Sequence, residues 1–152
     1  MKGGFLGCLC LGLLVSGGAQ NQGKREACYD SARSQAALNE CAGGDLAKAD
    51  RELNRTYQRI LKKYAKDALF LQRLKQAQRA WLAFRDAEID MKFPSTNTQE
   101  LTARYGSVYP ICFASYKAEL TEQRTKELSI WLKGIEEGDV CSGSVKTPEA
   151  LR

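Results

Sequence analysis

Residues 34–64 read SQAALNECAGGDLAKADRELNRTYQRILKKY, and the fold follows from where the apolar residues fall within them. Leu38, Ala42, Leu46, Ala49, Leu53, Tyr57, Ile60 and Tyr64 recur at steps of three and four. That spacing lays them along one face of an α-helix for about seven turns. Ser34 stands where a helix N-cap is wanted, because its hydroxyl can accept an orphan amide hydrogen of the first turn. Gly43 and Gly44 each weaken the helix by roughly 1 kcal/mol relative to alanine, which predicts a kink in its first third.

Beyond this helix, Lys66-Asp67 reads as a short junction. A second helix then runs through Leu71, Leu74, Ala77, Trp81, Phe84 and Ile89, and stops near Phe93-Pro94, since proline disfavours helix in the residue before it. Residues 94–109 are rich in turn formers and read as a long connection, with one helical turn around residues 99–104. Pro110 suits the first turn of a third helix, which continues through Ile111, Ala114, Ala118, Thr121, Arg124, Leu128, Trp131 and Ile135 until Gly134 and Gly138 end it. Short junctions between long amphipathic helices imply antiparallel neighbours. The expectation is an all-α, up-down-up three-helix bundle over residues 34–137, with an irregular lead at 20–33 and a polar tail at 138–152 that is mobile unless Cys141 pins it.

The N-terminus speaks to compartment. Lys2 supplies a positive start, Phe5 to Val15 is almost wholly apolar, and Gly17, Gly18 and Ala19 fit a small-residue cleavage site before Gln20. Residues 1–19 therefore read as a signal peptide, and the chain as periplasmic or secreted. The apolar run is shorter than the roughly 20 residues a membrane anchor wants, so no transmembrane anchor is expected. Cys8 and Cys10 leave with the signal; Cys28, Cys41, Cys112 and Cys141 remain. An even number of cysteines in a small exported domain reads as two disulfides.

A disulfide needs Cα atoms within about 7 Å. Cys28 and Cys41 satisfy that if the chain reverses near Ser31–Ser34, the favoured arrangement. Cys112 and Cys141 then pair by elimination, although they sit near opposite ends of the third helix, and an exchange such as Cys28 with Cys112 stays open. A zinc site is disfavoured because the chain has no histidine and no paired C-x-x-C spacing. No cofactor is implied.

Two stretches form a recognisable pattern. The first is Leu38-Asn39-Glu40-Cys41-Ala42 followed by Ala49-Asp50-Arg51-Glu52-Leu53-Asn54 and Tyr57; the second is Ala77-Gln78-Arg79-Ala80-Trp81-Leu82-Ala83-Phe84-Arg85-Asp86-Ala87-Glu88. With Gly106-Ser107 and the run from Glu119 to Leu128, the chain resembles the LprI-like lysozyme-inhibitor family over about residues 28–132. The resemblance implies a small, helical, exported domain whose partner is a lysozyme or related muramidase. It also implies a cysteine directly after the RDAE run and another early in the last helix. Ile89 and Tyr116 hold those places here.

Catalysis is not expected. Without histidine a Ser-His or Cys-His pair is impossible, and oxidised cysteines offer no thiolate. Asp86 and Glu88 lie on adjacent turns and have no reason to straddle a sugar across a cleft. Trp81 and Trp131 lie on apolar faces and read as core. Asp50, Asn54, Gln78, Arg85, Asp86 and Arg124 fall near faces that should meet, and read as a structural polar network that fixes helix register.

Charge is uneven. Residues 45–85 carry eleven basic side chains against four acidic ones, and residues 86–139 carry six against ten. Many lysozymes are cationic, so the acidic side is the one expected to face the enzyme. The connecting segment, with Arg104, Tyr105, Ser107 and Tyr109, is the candidate partner-binding loop. A second reading uses the stripe Arg51, Arg55, Arg59, Lys62 and Lys66 to bind an anionic envelope surface. Nucleic acid is a poor partner for an exported chain.

Overall fold

The computed structural model describes residue 23 and residues 26–152, and is helical without strands over the described residues. The expected signal peptide lies outside them. From residue 35 onward five helices follow in order: α1 Gln35–Lys63, α2 Ala68–Lys92, α3 Thr98–Tyr105, α4 Tyr109–Leu128 and α5 Ile130–Lys133. Two short helices thus supplement the three long ones expected. α3 lies in the connection, and α5 follows α4 after a turn at Ser129.

The caps explain the boundaries. Ser34 Oγ accepts from the Ala37 amide at 3.1 Å, Asp67 Oδ1 from Phe70 at 2.9 Å, and Asn97 Oδ1 from Glu100 at 2.9 Å. α2 stops at Lys92, one residue short of Phe93-Pro94. α1 passes through Gly43 and Gly44 uninterrupted, both exposed with open space above them.

α1 packs chiefly along α4. The reason is side-chain size: buried positions include Ala42, Ala49 and Thr56 on α1, and Ala114, Ala118 and Thr121 on α4. Small residues let two backbones approach closely. α2 stands further off and buries only Leu74, Arg85 and Ile89. At one end Leu53, Ile60, Tyr64, Leu74 and Leu128 form the main cluster, joined by Leu151.

Leu151 corrects the expectation of a mobile tail. The tail folds back over this end. Lys146 N donates to Tyr64 Oη at 3.2 Å, Ile135 N to Lys146 O at 3.2 Å, and Lys63 Nζ to Leu151 O. Gly134 has φ +83, and a Cβ there would lie 2.8 Å from Lys146 O. The tail therefore runs across bare glycine backbone that no other residue could offer without moving it.

The lead is also more regular than expected, being helical over 26–31. The Cys28–Cys41 disulfide ties it to α1 with the Cα atoms 5.9 Å apart, and Tyr29 Oη donates to Asp45 Oδ2 at 3.0 Å. Cys112 and Cys141 are unpaired and exposed, which corrects the expected second bridge. Cys112 lies in the first turn of α4 and Cys141 beyond the end of α5. The sixteen residues of α4 that follow Cys112 rise about 24 Å along the axis before the chain reaches α5.

Candidate functional site

Arg85 is the hub of the polar residues between the helices. Only 11% of its side chain is exposed. Nη1 lies 3.4 Å from both Asp50 Oδ1 on α1 and Thr121 Oγ1 on α4, and Nε lies 3.2 Å from Asp86 Oδ1. Thr121 Oγ1 donates in turn to Lys117 O at 2.8 Å, and Lys117 Nζ stands 3.7 Å from Asp86. One guanidinium thus touches all three long helices. Its fork geometry suits that role, which a lysine could not fill.

Gln78 and Arg124 form a separate pair. Arg124 Nε donates to Gln78 Oε1 at 3.3 Å and Nη1 to Glu127 Oε2 at 3.2 Å. Trp81 links the two groups, its ring centroid lying 5.3 Å from Arg85 Cζ and 5.9 Å from Arg124 Cζ. Asn54 does not join either group. It lines an open cavity of about 390 Å³ with Asp50, Tyr57, Gln78, Arg79 and Arg85, where α1 and α2 splay apart. Sequence reasoning missed Lys117 as a partner, and counted Thr121 as an apolar-face position.

Ile89 and Tyr116 hold the two places where the resemblance implies cysteines, and the contacts there are noncovalent. Ile89 is buried. Tyr116 Oη donates to Glu88 Oε2 at 3.2 Å, and Lys92 Nζ lies 3.4 Å from the Tyr116 ring centroid. Burial, then the hydrogen bond to Glu88, pushes the Tyr116 hydroxyl above the ordinary tyrosine range. The phenol therefore stays a donor.

The connection is built on rings. Phe93 meets Tyr105 and Tyr109 edge-on, with centroids 5.6 and 5.4 Å apart. Tyr105 stacks on Tyr109 at 5.9 Å, and Phe113 closes the row 5.8 Å from Tyr109. Desolvation, with Asp90 and Tyr105 nearby, holds the Tyr109 hydroxyl above its usual range. Ahead of α3, the Glu100 carboxylate accepts from the Thr96 amide at 2.9 Å and from the Thr96 and Ser95 hydroxyls, each at 3.0 Å. Those bonds, the Thr96 amide first, hold its carboxyl below the ordinary carboxylate range.

Of the four loop candidates, Tyr105 and Tyr109 are half-buried in this ring base, while Arg104 and Ser107 are exposed. Arg104 Nη1 lies 3.4 Å from Pro94 O. Gly106 turns the chain with φ +72, and Val108 beside Ser107 is also exposed. The basic stripe Arg51, Arg55, Arg59, Lys62 and Lys66 is exposed throughout; Arg55 pairs with Glu52.

Fold and site together define a small helical domain clamped by a disulfide, with Arg85 and Arg124 hydrogen-bonded across its helices. The chain belongs to the LprI family of lysozyme inhibitors, whose profile matches residues 26–128. An uncharacterized protein of Rhizobium meliloti (strain 1021) is 35% identical over 114 residues, covering 68% of this chain and 77% of that relative. No solved structure matches the chain. Family membership and the disulfide point to an extracytoplasmic location, where such bonds persist. No described helix is long and apolar enough to cross a membrane.

Proposed function

We propose that this chain is exported to the periplasm, its signal peptide cleaved near Ala19-Gln20, and blocks a peptidoglycan-cleaving lysozyme by protein–protein binding. The observation that carries the reading, beside the family, is the tip formed by residues 104–108. Arg104, Ser107 and Val108 are exposed on a base of four packed rings. A tip fixed before binding loses little freedom on docking, so its contacts go into affinity. Arg104 supplies a charge for the carboxylates of a glycosidase cleft, and Val108 an apolar contact. The acidic C-terminal half then faces a cationic enzyme.

A lysis assay with the oxidised protein lacking residues 1–19, against c-type and g-type lysozymes, tests this directly. Inhibition is expected, weakened at least tenfold by Arg104→Glu with Val108→Asp while the circular dichroism stays unchanged. Full lysozyme activity at micromolar protein for every class ends the proposal.

The exposed stripe supports a second reading, adhesion to anionic envelope surfaces. Arg51, Arg59, Lys62 and Lys66 make no ion pair with a described acidic residue. Binding to anionic vesicles should then weaken with salt and with Arg55→Glu plus Arg59→Glu; binding indifferent to both removes it.

A further inference from the structure

α2 is apolar on two opposite sides, and the fold covers only one. The inward side carries Leu71, Leu74, Trp81 and Ile89, all buried or half-buried. On the outward side Leu69, Ala77, Ala80, Phe84, Ala87 and Met91 follow at three-, four- and eight-residue intervals along a single face, and every one is exposed. The large members are far from covered: Leu69 is 64%, Phe84 54% and Met91 67% exposed. Arg73 and Gln76 are the polar interruptions, bonded to each other at 2.9 Å. A solvated helix face normally carries charge. A contiguous apolar one marks an interaction surface.

The face is self-complementary. Leu69 and Met91 each stand eleven residues from Ala80, one on either side. They therefore lie about 16 Å from it in opposite directions. Two copies of α2 laid antiparallel with the Ala80 residues together set Leu69 of each copy against Met91 of the other. The small side chains of Ala77, Ala80 and Ala87 allow the backbones to approach closely. Charge selects the same orientation. The first half of α2 carries Arg73, Lys75 and Arg79 and no acid, whereas in the second half Asp86, Glu88 and Asp90 outnumber Arg85 and Lys92. Antiparallel copies align unlike halves; parallel copies would align like with like.

We infer that the outward face of α2 is a two-fold interface between two copies of this chain, antiparallel about Ala80. Such an isologous contact closes on itself and needs no other partner. The contact uses none of residues 104–108, so the inference does not rest on lysozyme inhibition.

Sedimentation velocity on the oxidised chain, from low to high micromolar, should show a monomer–dimer equilibrium. Ala80→Glu brings two carboxylates together at the axis, and Phe84→Lys charges the flank. Both sites are exposed, so each variant keeps its circular dichroism, and the dimer dissociation constant should rise at least tenfold. Orientation is read in a background with Cys112→Ser and Cys141→Ser. Mixed L69C and M91C proteins should form the heterodisulfide in preference to either homodisulfide. A chain that stays monomeric at high micromolar concentration, a dimer indifferent to both charge changes, or a preference for homodisulfides would each overturn the inference.

Discussion

Leu151 is the second-last residue of the chain, yet it is only 6% exposed and belongs to the main apolar cluster. The substitution Leu151→Ala asks how much that anchor holds. A leucine buried in a core is worth about 2–3 kcal/mol relative to exposure, and truncation to alanine costs about 2–5 kcal/mol where the surroundings cannot relax. Here they can, because a terminal segment that loses its anchor lifts away instead of enclosing a cavity. The loss is therefore expected at the low end, about 2 kcal/mol, or a fall in Tm of roughly 6–10 °C.

Release of the tail also frees Lys146, whose amide now donates to the buried Tyr64 hydroxyl. Thermal and urea unfolding followed by circular dichroism give the energy, and the rate of tryptic cleavage after Lys146 reports the release. Gly134→Ala should act from the opposite side of the same contact, since its Cβ would meet Lys146 O and Pro148 N at 2.8 Å in a backbone region that alanine avoids. Val140→Ala is the control, at a site 97% exposed, and should stay within about 0.5 kcal/mol. If Leu151→Ala leaves both the unfolding midpoint and the cleavage rate unchanged, the tail is not part of the cooperative unit and the reasoning fails.

Arg85→Lys should cost about 2 kcal/mol, because an ammonium cannot reach Asp50, Asp86 and Thr121 together; a double-mutant cycle with Asp50→Asn should return a coupling of about 1 kcal/mol, and additivity would deny the contact. Replacing Cys28 and Cys41 by serine opens a link between residues thirteen apart, which loop entropy values at up to about 3 kcal/mol. Faster amide exchange should be confined to the lead and the first turns of α1, and loss spread evenly through α4 would contradict that. Glu100 sits below its ordinary carboxylate range when folded, so its contribution is present above the unfolded value and is lost as pH falls through the folded one. The protection factor of the Thr96 amide should therefore fall selectively on acidification, whereas a protection factor independent of pH would show that the carboxylate does not hold this turn.

The helices of α1 and α4 were legible because one face of each is apolar or small and the other is not. Ala42, Ala49, Leu53 and Ile60 on α1, Tyr64 at its C-cap, and Ala114, Ala118, Thr121 and Leu128 on α4 are buried where their spacing puts them. α2 was legible as a helix but misread as a face. Ala77 and Phe84, expected inside, are outside; the inward line instead passes through Gln78 and Arg85, which the sequence already sets near the faces that should meet. The tail was misread for a different reason. One leucine among polar residues gives no period, and what receives it, the bare backbone at Gly134 and the Tyr64 hydroxyl, is assembled only by the tertiary fold.

The misreading of α2 has a physical content of its own. Periodicity reports how many faces a helix must cover, not which neighbour covers each. When alanines and large apolar residues occur on opposite sides, a single-chain reading assigns both to one core and blurs the boundary between them. In this chain the polar Gln78–Arg124 and Arg85–Asp50 contacts identify the side turned to α1 and α4, since their partners lie on those helices. Once that side is fixed, Phe84 and Met91 have no intramolecular role left to explain them. A burial pattern that the monomer cannot account for is therefore the same evidence, seen from the sequence, as the exposed face seen in the fold. The helix that was hardest to orient is the one expected to meet a second copy.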